Sequence, residues 1–253
     1  DPSPDNVPYK SKDFLVVSAE GLKNGDPILL AGYPGRTSRY KLPSEIRFAR
    51  DIDLPAKAAS ITADLSVIAG ATQGNPAWNV AYASVDKGLN NVLKKTRGLL
   101  DGFARKDIAA VKDVQDAEFR AWQKSHAGAN GGLLAELDGV IAQDMALQRQ
   151  EAAWLEATHS DLLKSARTLY RLALERQKPD AQREGGYQER DLSFIKARLT
   201  RLEQSFVPQV DQARYAAALA RYAQIDAKVR PQGVDALLPA QDALGGMYKA
   251  SEL

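Results

Sequence analysis

Hydroxyl, imidazole and carboxylate groups stand side by side at Thr158-His159-Ser160-Asp161, and these are the side-chain types of nucleophilic acyl transfer. Their adjacency works against that use. Neighbours on a helix point about 100° apart, so a nucleophile and a base at i and i+1 cannot face each other at hydrogen-bond range. The cluster therefore reads as structural. The other histidine of the chain is His126, and neither histidine belongs to a His-x-x-x-His or comparable carboxylate pattern, so no metal site is expected. Cysteine is absent from all 253 residues, which excludes thiolate ligands and disulfides and is compatible with oxidising or reducing compartments. Gly32-Tyr33-Pro34-Gly35-Arg36 is rich in glycine but lacks the lysine and the length of a phosphate-binding loop. It reads as a sharp turn, and no cofactor is expected.

Asn91 is a different case. It lies within the best amphipathic pattern of the chain, about 160° around the helix axis from Leu89. It thus belongs to the polar face, with Ser84, Gly88, Lys95 and Gly98. Each mid-helix glycine weakens a helix by about 1 kcal/mol relative to alanine. Such glycines mark either the close approach of a second helix, which is the default, or the border of a cleft.

The elements that would carry these residues are mostly helical. Phe14-Leu15-Val16-Val17 and Ile28-Leu29-Leu30-Ala31 are short apolar runs on either side of a Gly/Asn-rich turn over residues 20–26, which predicts a β-hairpin. Two such strands cannot be stable alone in water and need a partner layer. From Ser44, a plausible N-cap, the apolar spacing becomes helical, with a first short helix limited by Pro55. Leu89, Val92, Leu93, Thr96, Leu99, Leu100 and Phe103 then follow the i, i+3, i+4, i+7 rule between Trp78 and Phe103. Further helices are expected over about 106–124, 133–177, 192–206 and 210–229, the break at Pro179-Asp180 and Gly185-Gly186 being the clearest. Short breaks imply antiparallel neighbours and a bundle of five or six helices. The charge-dense stretch 178–191 reads as a solvated interhelix loop.

Lys and Arg total 34 against 32 Asp and Glu, so net charge gives no reason to expect a nucleic-acid or anionic-membrane partner. Apolar stretches such as Pro27 to Ala31 fall far short of the roughly 20 residues of a membrane span. The opening Asp1-Pro2-Ser3-Pro4-Asp5-Asn6 has turn and linker chemistry rather than a signal peptide's charged and apolar regions, and the chain is expected to be a central piece of something longer.

Asn6-Val7-Pro8-Tyr9-Lys10 followed by Phe14-Leu15, the turn Ala31-Gly32-Tyr33-Pro34-Gly35-Arg36-Thr37 with Arg39-Tyr40, and the stretch from Lys178 to Asp191 together resemble the bacterial dipeptidyl aminopeptidases. These are the chymotrypsin-clan serine peptidases that include dipeptidyl-peptidases 7 and 11 and dipeptidyl aminopeptidase BII. The likeness runs over essentially the whole chain. It implies a mainly α fold: residues 1–40 would be the last strands of a chymotrypsin-like β-barrel, and residues 41–253 an inserted helical domain covering the active-site cleft.

The same resemblance implies peptide substrates with a free N-terminus, a periplasmic or secreted location and a homodimeric parent protein. In this family an asparagine of the inserted domain receives the substrate's N-terminal ammonium, and the segment Gly88-Leu89-Asn90-Asn91 aligns that role with Asn91, or failing that Asn90. An ammonium has three donors and no acceptor, which suits an amide oxygen. The family's catalytic His and Asp lie before the Val-Pro-Tyr segment and its Ser lies in a Gly-Asn-Ser-Gly-Ser motif after the helical domain. No Gly-x-Ser-Gly occurs in these 253 residues, so no catalytic residue is assigned. The alternative is a non-catalytic helical module that docks a protein partner. The expected outcome for the isolated 253-residue chain is no hydrolysis of a dipeptidyl reporter, with activity restored once the flanking segments are appended; turnover by the isolated chain would show that the nucleophile lies within it.

Overall fold

The computed structural model describes residues 4–29, 32, 38, 40–126, 128 and 132–237. The chain divides into two units, Asp1–Arg39 and Tyr40–Leu253. In the first, the expected turn is present: Asp26 N–H donates to the Lys23 carbonyl at 3.1 Å and Lys23 N–H to Asp26 Oδ2 at 2.7 Å, with Gly25 at φ +99°. The expected strands are not. No strand occurs among the described residues, so neither the hairpin nor a barrel is seen. Phe14, Leu15, Val16, Val17 and Ile28 are exposed, and an apolar pair with no layer to cover it has nothing to hold a ladder together. Leu30 and Ala31, like the whole of the Tyr-Pro-Gly-Arg-Thr turn at 33–37, lie outside the described residues.

The second unit is helical. Its first helix, α1 (Pro43–Phe48), starts one residue before the expected N-cap: Pro43 takes the first-turn position and Leu42 N–H donates to Glu45 Oε2 at 2.8 Å. Pro55 does not end it. The chain passes through a π-helical stretch, Ala49–Asp53, into α2 (Leu54–Thr72). A proline inside a helix removes one donor and clashes with the carbonyl four residues back, and the extra residue of a π turn makes room for it. Then follow α3 (Pro76–Arg105), capped by Asn75 Oδ1 on Trp78 N–H at 3.2 Å, and α4 (Ile108–His126). The single long helix expected over 133–177 is two, α5 (Leu133–Ala157) and α6 (Asp161–Glu175). The chain continues through α7 (Leu192–Ser205), α8 (Pro208–Tyr222) and the short α9 (Val234–Leu237). The described helices therefore outnumber the five or six expected.

The last long helix, α8, is the centre of the packing. Val210 joins Ile68 of α2 and Tyr82 of α3 in one apolar cluster, with Trp78, Val85 and Leu89 of α3 against it. Tyr215 and Leu219 meet Leu162 and Leu163 of α6 in a second. Tyr222 closes a third with Ala153 and Ala157 of α5. Small residues at those α5 positions, both essentially inaccessible to solvent, let the Tyr222 ring seat against the helix.

Polar ties cross the same helices. Arg214 of α8 makes a two-pronged contact with Asp64 of α2, Nε to Oδ1 at 2.8 Å and Nη2 to Oδ2 at 2.9 Å, and its Nη1 reaches Asp161 Oδ2 at 3.2 Å. Both Arg214 and Asp64 are buried, and a fork-on-fork pair is the geometry in which a buried ion pair is best satisfied. The guanidinium also lies 5.8 Å from the centre of the Tyr82 ring, a cation–π contact. A second tie runs from Ser60 of α2 through Glu156 of α5 to Arg221 of α8, at 2.5 and 2.8 Å.

Burial alone would raise the Asp64 carboxyl, but hydrogen bonds from His159 and Arg214, and the guanidinium charge, outweigh it and hold the carboxyl below the usual carboxylate range. A carboxylate depressed in the folded state contributes stability that is fully present above its unfolded pKa of about 3.9 and is lost progressively as pH falls from there through the lower folded value. Stability of the wild type should therefore drop as pH falls below roughly 4, and Asp64→Asn should flatten that acid limb in urea titrations. Arg214→Ala, which strands a buried carboxylate at neutral pH, should cost about 3–5 kcal/mol, seen as a lower urea midpoint at unchanged slope.

Candidate functional site

The Thr158–Asp161 cluster is a helix junction. Ser160 is the N-cap of α6, its Oγ accepting from Leu163 N–H at 3.2 Å and donating to Asp211 Oδ2 at 2.8 Å, while Asp161 N–H donates to Asp211 Oδ1 at 2.8 Å. A buried carboxylate on α8 thus sits at the positive end of α6. His159 turns the other way, its Nε2 lying 3.1 Å from Asp64 Oδ2. Hydroxyl and imidazole are each held by a different carboxylate, so the arrangement positions helices and prepares no nucleophile. His126 stacks on Trp122 with ring centres 4.7 Å apart. No grouping of metal-binding side chains occurs among the described residues.

Asn91 lies on α3, exposed, and its side chain makes no hydrogen bond to another described residue. Asn90 differs: its Nδ2 donates to both the carbonyl and the carboxylate of Asp86, each at 3.0 Å. Nine residues separate Asn91 from Tyr82, so the two point to opposite sides of the helix, about 180° apart. Tyr82 is buried, and burial, followed by the nearby Asp211 charge, pushes its hydroxyl up to about 12. The same contacts that bury Tyr82 turn Asn91 outward.

The expectation that a neighbouring helix packs against Gly88 and Gly98 is corrected here. A Cβ built at either glycine would meet no described atom within 4 Å, so among the described residues this face is open. Lys95 is one turn beyond Asn91, and Lys87 and Lys94 are its i−4 and i+3 neighbours. All three lysines are exposed and form no ion pair with another described residue. Lys87 and Lys94 were not singled out from the sequence, although i±3 and i±4 spacing around Asn91 is the signal that finds them.

The stretch 178–191 does connect helices, but its charges serve its own backbone. Glu175 accepts from Lys178 Nζ at 2.7 Å and Glu184 N–H at 2.9 Å; Asp180 accepts from Glu189 N–H at 2.7 Å; Asp191 accepts from Gly186 N–H at 3.0 Å, where φ is +94°. Arg171 pairs with Glu184 and lies over the Tyr187 ring. A groove of about 470 Å³ runs beside this loop, lined by Thr168, Tyr187, Phe194 and Arg198, and another of about 380 Å³ lies along Leu147, Gln148, Glu151 and Trp154 of α5. Neither includes Asn91.

No helix among the described residues is long and apolar enough to cross a membrane. The family model described as Peptidase S46 matches residues 1–252. The chain is similar to an Asp/Glu-specific dipeptidyl-peptidase of Shewanella putrefaciens, 40% identical over 218 residues, which is 86% of this chain and 30% of that protein. It also resembles an Asp/Glu-specific dipeptidyl-peptidase of Capnocytophaga gingivalis, 32% identical over 54% of this chain and 19% of the relative. A dipeptidyl-peptidase 7 of the same organism is 26% identical over 53% of this chain and 19% of the relative. The chain thus spans less than a third of the length of these relatives. With the model matched along nearly its whole length, it belongs to the Peptidase S46 family.

Proposed function

We propose that these residues are the helical part of a serine dipeptidyl-peptidase that releases N-terminal dipeptides from peptides, with Asn91 accepting a hydrogen bond from the substrate's free ammonium. Residues 1–40 would belong to the peptidase barrel and residues 41–253 would cover its cleft. The catalytic serine, histidine and aspartate would come from outside these residues: serine attacks the peptide carbonyl, histidine carries the proton, aspartate orients it, and backbone amides hold the oxyanion. Covering the cleft limits how far substrate extends beyond the scissile bond, and an acceptor at that limit selects a free N-terminus. The parent protein would be periplasmic or secreted and homodimeric.

One observation carries the assignment to Asn91: its amide is exposed and unengaged by described residues on a face that Gly88 and Gly98 leave open, whereas the Asn90 amide is held by Asp86. Family membership over residues 1–252 supports the reaction class. The name of the 40%-identical relative supports acidic peptides as substrates.

Asn91 would position the substrate without reacting. In the full-length protein, Asn91→Ala is expected to lower kcat/KM for dipeptidyl reporters at least tenfold, about the value of one hydrogen bond to a charged group, while Asn90→Ala changes it less than twofold. Far-ultraviolet circular dichroism should show unchanged helix content. Unchanged reporter kinetics in Asn91→Ala would overturn the assignment.

A further inference from the structure

An isolated ammonium is poorly suited to the surroundings of Asn91. Lys87, Lys94 and Lys95 are the i−4, i+3 and i+4 neighbours of this residue, all exposed and none in an ion pair with another described residue. Side chains at these spacings have their Cβ atoms about 5–6 Å apart, so three cationic stems surround one amide. No Asp or Glu occupies residues 87–95; the nearest, Asp86, is turned away and engages Asn90. An ammonium about 7 Å from each lysine is disfavoured roughly threefold per lysine even at the dielectric of water. A ligand whose ammonium binds here is therefore best accommodated when a carboxylate travels with it.

We infer that Lys87, Lys94 and Lys95 form a cationic collar around Asn91 that selects peptides bearing an acidic side chain within their first two residues. The inference rests on the reading of Asn91 as the receptor of the substrate N-terminus. It adds a contribution from the helical domain to whatever discrimination is made beside the nucleophile. A lysine ammonium is a compact charge on a flexible stem, so the collar can follow an Asp or a Glu side chain without a fixed pocket. It supplies the charge balance, and Asn91 supplies the directional acceptor. Lysines do not touch the scissile bond in this scheme; they determine specificity and are not catalytic residues.

The test compares kcat/KM for two reporters, one with Glu and one with Leu before the scissile bond, in the full-length wild type and in a Lys87→Gln/Lys94→Gln/Lys95→Gln variant. The Glu-to-Leu ratio is expected to fall about tenfold in the variant, because attraction for the carboxylate is lost while repulsion of the ammonium, common to both substrates, is relieved. Added salt should lower the ratio in the wild type and leave it nearly constant in the variant. The matching triple Lys→Arg variant should keep the wild-type ratio. A purely structural role would depress both substrates together and leave the ratio unmoved, and a constant ratio in the Gln variant overturns the collar. Loss of activity on both reporters in Asn91→Ala alongside that constant ratio would leave the Asn91 reading standing; a wild type inactive on every dipeptidyl reporter would remove the reading and the collar together.

Discussion

Arg214 and Asp64 are 150 positions apart in the chain, yet their two-pronged contact lies among the buried side chains where α2, α8 and the start of α6 converge. Two charges withdrawn from water are tolerable only if each satisfies the other and the remaining donors find partners. Here the third guanidinium nitrogen takes Asp161, His159 shares Asp64 Oδ2 with Arg214, and the Tyr82 ring covers the guanidinium. These partners come from α3 and from the junction that opens α6, so the requirement of the buried pair fixes several helices at once. Apolar contacts alone would permit more sliding, because they are non-directional.

The network also sets the orientation of α3. Tyr82 is drawn inward by the guanidinium and by the cluster around Ile68, Val207 and Val210, and a rigid helix that buries one side must present the other. Asn91 and its lysines are on that other side. Open space at Gly88 and Gly98 then has a simple meaning: the helix pays the conformational cost of glycine where no described neighbour benefits from the missing side chain.

The loop between α6 and α7 is largely exposed, as its charge density suggests, and is also tied internally. Asp180 and Asp191 within it and Glu175 at the end of α6 accept from loop backbone donors, which fold residues 176–191 without strands or long helices. Unpaired donors in a turn must be satisfied by something, and acidic side chains do it locally. A composition that suggests mere solvation thus encodes a specific loop shape.

Much of the helical architecture was legible in the sequence. The 3.6-residue periodicity around Leu89 to Phe103 locates α3, the expected start near residue 210 falls within two residues of the observed start of α8, and two steps of 100° put Asn91 on a face away from Leu89. Local rules also err in local ways: Pro55 predicts a stop although a π turn carries the helix past it, and helical spacing predicts one helix over 133–177 although Ser160 caps a new one. Residues 14–17 carry strand-like patterning, but a strand needs a partner, and a pattern cannot supply one. What the tertiary structure alone decided was which polar residues are engaged. His159, Ser160 and Asp161 are held through Asp64, Asp211 and Arg214 from distant helices, while Asn91 is left unengaged among the described residues. Periodicity assigns a residue to a face because it depends only on the helix itself; whether that face is covered depends on segments far away in sequence, and only the folded arrangement brings those together.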